Sequence, residues 1–126
     1  AITGAPVQTR QCWCRQCQKV AGGFATTNAF FGTDEIALSG ETSSHAYEAA
    51  SGNILTHIFC RSCGNPIIAH SSARPHLQVV RLAMLDGNHG LAPTMAIWTD
   101  EAPSWAKIDP ELTLFQRQPP PVRRKD

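Results

Sequence analysis

Five cysteines in two tight groups constrain this chain more than any other feature of it. The first group reads Cys12-Trp13-Cys14-Arg15-Gln16-Cys17 and the second Phe59-Cys60-Arg61-Ser62-Cys63-Gly64-Asn65-Pro66. An odd number of cysteines cannot all pair as disulfides within one chain. Either spacing lets the sulfurs of one turn converge on an ion held at about 2.3 Å. Thiolates are soft ligands, so zinc is expected ahead of magnesium or calcium. Gly64, directly after the second pair, tolerates the positive φ that such a turn uses. The blander readings fit less well. A redox disulfide between Cys14 and Cys17 of the thioredoxin kind belongs at a strand-to-helix turn in a βαβ pattern, which this sequence does not show. Plain buried cysteines at 60 and 63 do not account for the knuckle spacing before Gly and Pro.

Two sharing schemes remain open on spacing alone. One closes a four-thiolate site from Cys12, Cys14, Cys60 and Cys63 and leaves Cys17 free. The other uses two ions. Cys12, Cys14 and Cys17 then give three ligands and an open position, the layout of catalytic zinc rather than structural zinc. Cys60 and Cys63 are then half of a second site.

The rest of the sequence says what frame carries these sulfurs. With 126 residues one domain is expected, not two. Nine glycines and nine prolines cut the chain into short pieces, and no helical apolar period survives for about 12 residues. A mainly β fold with little helix follows. The 42% apolar and 17% charged content speaks against a disordered chain. A net charge of +1 offers no electrostatic footprint for nucleic acid. No apolar run approaches the ~18 residues of a membrane span. No secretory signal is visible, so a cytoplasmic location is expected.

Local patterns place the elements. Gln16 to Ala21 reads as a helical turn stopped by Gly22-Gly23. Phe24 to Phe31 reads as a strand with Phe24, Thr26, Asn28 and Phe30 on one face. Further strands are expected at Ile36 to Leu38, His45 to Ala49, Ile54 to Phe59 and Ile67 to His70. The last two flank the second knuckle as a hairpin whose turn a metal would fix. His76 to Leu85 is the longest apolar-rich run, Asp86 to Gly90 a loop, and Met95 to Thr99 and Leu112 to Phe115 late strands. Pro119-Pro120-Pro121 followed by Arg123-Arg124-Lys125 reads as an extended, solvated tail.

Side chains outside the cysteines give weaker signals. His57 alternates with Leu55 and Phe59 as a packed strand residue. His45, His70, His76 and His89 share no ligand spacing, although His89 in its Gly-rich loop could reach a pocket. Trp13 must point away from the metal and pack, and Trp98 and Trp105 fit core or interface roles. Arg15, Gln16 and Lys19 flank the trio as surface residues. Asp34-Glu35, Asp86 and Asp100-Glu101 suit turns better than acid–base catalysis. No Ser-His-Asp set is evident.

The cysteine motifs, with Ala96-Ile97-Trp98-Thr99 and Pro103-Ser104-Trp105 following in the same order, resemble the glutathione-dependent formaldehyde-activating enzyme family, which includes the centromere protein V domain. The resemblance spans about residues 3 to 118. It implies a zinc-binding β-tent fold of short antiparallel sheets, as one domain over 1–118 with a Pro-rich basic tail at 119–126. It implies two metal sites: Cys12, Cys14 and Cys17 at the glutathione-proximal, catalytic zinc, and Cys60 and Cys63 as half of a structural one. A second Cys-x-Cys pair upstream completes the structural site in the family. Here Ala1 stands eleven residues before Cys12 and that pair is absent, so a shortened chain with one or two zinc ions is expected. The implied activity is that of a carbon–sulfur lyase joining glutathione and formaldehyde as S-hydroxymethylglutathione, or of a relative acting on another thiol or aldehyde. A glutathione carrier and a zinc-stabilised partner-binding module are the alternatives. The methionine sulfoxide reductases of the β type share the scaffold, but they need a reactive cysteine outside the metal motifs. Exposed sheet edges make a homodimer a candidate.

Overall fold

A computed structural model describes residues 1–49 and 51–121. The chain folds as a mainly β protein in one eight-stranded sheet. The strands are β1 (Gln8–Cys12), β2 (Thr26–Gly32), β3 (Thr42–Glu48), β4 (Ile54–Cys60), β5 (Pro66–Ser71), β6 (Leu77–Arg81), β7 (Met95–Ile97) and β8 (Thr113–Leu114), and one α-helix, α1 (Arg15–Ala21), follows β1. Their order across the sheet is β3-β4-β5-β6-β2-β1-β7-β8. Pairing is antiparallel from β3 through β1, whereas β7 joins β1, and β8 joins β7, in parallel. Among the described residues no helix is long and apolar enough to cross a membrane.

Side chains alternate between the faces of a strand, so the register sorts the sheet into two unlike sides. Arg10 lies opposite Asn28, and Asn28 opposite Arg81, which puts all three on the face that carries Cys12. His57 and His45 pair across β4 and β3 on that same face. The other face is apolar: Ala29, Phe31, Ile68 and Val80 form a buried cluster, backed by Ile2, Ile36, Ile58 and Leu85. An open apolar cleft of about 570 Å³ lies over that cluster, and His89 lines it. A second cluster of Trp13, Ala25 and Ala96 is packed by Ala102, Ala106, Ile108 and Leu112. It anchors the parallel strands and the loop after them.

Several elements depart from the pattern reading. β2 begins at Thr26, not Phe24. Gly22 and Gly23 both take positive φ, so the chain is still turning at Phe24. That residue stays 44% exposed with its ring 4.6 Å from Trp13. Ile36 to Leu38 is not a strand. A 3-10 turn at Thr33–Glu35 leaves Ile36 only an isolated bridge to Ile2. The run from His76 to Leu85 divides into β6 and a 3-10 turn at Leu82–Met84, so its apolar residues do not keep to one side of a single strand. Trp105 is 62% exposed and lies outside the core. The proline segment has no regular structure, but Pro119 is buried. Arg123-Arg124-Lys125 lies outside the described residues.

Candidate metal and thiol site

The trio forms where β1 hands over to α1. Cys12 ends the strand, Trp13 turns to the apolar side and is fully buried, and Cys14 caps the helix. The Cys14 Sγ accepts a hydrogen bond from the Cys17 backbone N–H at 3.4 Å. Burial of Trp13 drives this arrangement. An indole that size can only be removed from water on the side away from Cys12, and alternation then gives the sulfurs to the polar face. Gln18, buried in α1, locks the geometry. Its amide donates to the carbonyl oxygens of Trp13 at 2.6 Å and of Glu101 at 3.0 Å. Gly22 closes the helix in the left-handed region at φ +80°, where a side chain would be strained.

The three sulfurs lie within 4.8 Å of one another, and no His or carboxylate joins them among the described residues. Three thiols this close cannot all ionise alone. Hydrogen bonds from Cys12 and Cys14 hold the Cys17 thiol well below its ordinary value, against the opposing effect of burial, with Thr26 and Arg81 adding support. Cys12 moves the other way, because its hydrogen bonds to Cys14 and Cys17 and its burial all retain its proton. At Cys14 the Cys12 hydrogen bond pulls down, but Cys17 and burial outweigh it, and the net direction is up. The trio thus shares one negative charge. A divalent cation is what would let all three ligands ionise together, and a close, all-sulfur donor set suits a soft ion.

The knuckle is separate. Between β4, which ends in Cys60, and β1, which ends in Cys12, lie β5, β6 and β2. Cys60 and Cys63 do not join the sulfur cluster of the trio among the described residues. The closed four-thiolate scheme with Cys17 free is therefore not the arrangement found. At the knuckle Gly64 takes φ +76°, and its N–H bonds the Cys60 carbonyl at 2.8 Å. Backbone N–H groups of Cys63 and Ser62 hold the half-buried Cys60 thiol below its ordinary value. No third ligand joins Cys60 and Cys63 among the described residues.

The flanking residues behave as surface groups. Arg15, Gln16 and Lys19 are exposed, and the Arg15 side chain bonds Gln18 within the helix. The acidic residues serve structure: Glu35 accepts from the Gly32 N–H, and Asp100 pairs with Arg117 at 3.2 Å. His57 is a packed strand residue, with its ring stacked 5.6 Å from Tyr47.

Sequence patterns did not single out the polar side chains beside the sulfurs. Arg81 is buried on β6. It donates to the Asn28 Oδ1 at 2.7 Å, and its other terminal nitrogen lies 3.3 Å from the His57 Nδ1. Burial, then Arg81 and His45, push His57 below its ordinary value. It is therefore neutral at neutral pH and accepts from Arg81. Arg10 is buried beside Cys12, its guanidinium 4.4 Å from the Phe30 ring centre. Burial lowers it to about 10, partly offset by Cys12, so it stays charged. One signal was available. Arg10, Asn28 and Arg81 occupy a single cross-strand row, but that row exists only once the pairing is known.

A family profile described as glutathione-dependent formaldehyde-activating enzyme matches residues 1–101. The chain belongs to that family. The match runs through both cysteine groups and ends just beyond β7. No curated protein matches the chain. Membership agrees with a mainly β fold bearing a cysteine cluster able to hold a metal.

Proposed function

We propose that the protein is a zinc-dependent enzyme of the carbon–sulfur lyase type that condenses glutathione with formaldehyde, or a close relative using another thiol or aldehyde. The observation that carries this reading is the trio: three sulfurs within 4.8 Å, with no fourth protein ligand among the described residues. That is the donor count of a site open to an exchangeable ligand. Bound there, zinc supplies positive charge that brings an incoming thiol to thiolate at neutral pH. The chain's own part is to hold the sulfurs on one turn through Gln18 and to keep buried cations beside the developing anion. In the reaction the glutathione sulfur attacks the carbonyl carbon and a C–S bond forms. The C=O π pair moves to oxygen, which takes a proton from water, giving S-hydroxymethylglutathione. Formaldehyde and a thiolate react readily, so the demand on general acid catalysis is small.

Cys60 and Cys63 are assigned to a structural half-site, the role that family membership implies for them. Unpaired thiols in working order call for a reducing compartment, which supports the cytoplasm. The test measures zinc content by elemental analysis, then the rate of adduct formation over the protein-free mixture. Zinc bound through the trio with a faster rate supports the enzyme. Glutathione binding without acceleration supports the carrier reading in its place, and absence of a metal from protein refolded with zinc refutes both.

A further inference from the structure

Three arginines cluster on the sulfur-bearing face, and among the described residues no carboxylate pairs with them. Arg10 and Arg81 are 5% and 7% exposed. Arg74, in the β5–β6 connection, is only half-buried. Arg10 and Arg74 both lie over the Phe30 ring, at 4.4 and 5.7 Å from its centre. The ion pair found among the described residues is Arg117 with Asp100, far along the chain from all three. Among the described residues the Arg10 guanidinium makes one hydrogen bond, to Gln8. Arg81 is held by Asn28 and His57, and its Nε is buried with no acceptor. Buried charges are normally paired, because desolvating them alone is costly.

The cysteines answer only part of this charge. Once a divalent cation is added to three thiolates, one negative charge remains to face three guanidiniums. The surplus is positive: Arg10 and Arg81 hold it on the Cys12 face, Arg74 holds it over the same Phe30 ring as Arg10, and it includes a donor without a partner.

We infer that Arg74, backed by Arg10 and Arg81, forms a carboxylate-recognition floor that selects anionic thiols over neutral ones of the same size. This deepens the reading above and rests on it for the placement of the thiol. Glutathione fits the charge: its two carboxylates and one ammonium, with the sulfur as thiolate, bring the sum over the metal, the trio and the three arginines to zero. Arg74 is the group a ligand reaches first, because it is the least buried and its guanidinium makes no hydrogen bond among the described residues. Arg10 and Arg81 act from beneath as fixed charges, and Asn28 and His57 position Arg81. Guanidinium suits this task through its planar donor fork, which matches a carboxylate.

The test uses zinc-loaded protein and calorimetric titration with three probes: glutathione, its diethyl ester, and S-methylglutathione. The ester is expected to bind at least about tenfold more weakly than the acid, the worth of one charge-assisted hydrogen bond. Arg74→Gln should erase most of that discrimination while leaving zinc content and melting temperature unchanged, and Arg74→Lys should restore part of it. Equal affinities for acid and ester in the wild type overturn the inference and leave the thiol–metal reading standing. Full discrimination in folded Arg74→Gln also overturns it. S-methylglutathione binding that depends on Arg74, with no extra affinity from a free thiol, keeps the inference and sinks the thiol–metal reading. Failure of all three probes to bind overturns both.

Discussion

Loading the metal-free protein with zinc at pH 7 should release about two protons, not three. Three ordinary thiols with pKa near 8.5 are each almost fully protonated at that pH and would give up about three on coordination. Here Cys17 is already a thiolate, because Cys12 and Cys14 donate hydrogen bonds to it, while those two keep their protons. The preformed thiolate also spares the metal the work of removing one proton. Over the roughly 1.5 pH units between pH 7 and an ordinary thiol that saving at Cys17 alone is about 2 kcal/mol, and the raised Cys12 and Cys14 thiols work against it. Titration calorimetry in phosphate, HEPES and Tris buffers reads the proton count from the slope of observed enthalpy against buffer ionisation enthalpy. The logarithm of the apparent affinity should correspondingly rise by about two per pH unit near neutrality. A count of about three would show that no charge is stored in the trio before metal arrives, and the shared-charge account would fail.

Other outcomes follow from the same contacts. Gln18→Ala leaves a buried carbonyl at Trp13 and a part-buried one at Glu101 without their donor and should cost about 1–3 kcal/mol in denaturant unfolding; an unchanged midpoint would deny Gln18 its locking role. Trp13→Ala empties a fully buried site and should cost about 3–5 kcal/mol, read from the same midpoints. Asn28→Leu removes the acceptor of a buried guanidinium and should lower stability by at least 1 kcal/mol, whereas a neutral result would mean Arg81 finds another partner. His57 sits below its ordinary value, chiefly through burial, so the folded state resists protonation that the unfolded chain accepts. The sign is therefore a loss of stability as pH falls below about 6.5, and His57→Gln should flatten that part of the profile.

The cysteine spacing by itself determined where metal chemistry could reside. Ligands within one turn of chain converge whatever the surrounding fold does. That is why Cys12, Cys14 and Cys17 meet as read, and why the knuckle turn at Gly64 adopts its positive φ. Short strands separated by Gly and Pro were also legible, since turn chemistry is local, and so was the helix stop at Gly22. Long-range pairing was not. The exposed position of Phe24, the loss of a strand at Ile36, the parallel addition of β7 and β8, and the separation of knuckle from trio all depend on which strands become neighbours. Local sequence does not encode that neighbourhood. The arginine floor is the strongest case: Arg10, Asn28 and Arg81 lie far apart in the chain and meet only through antiparallel register across β1, β2 and β6. A charge in a strand reads as an edge or surface residue until tertiary structure buries it beside an anion, because burial and partnership, unlike turn geometry, are properties of the assembled sheet.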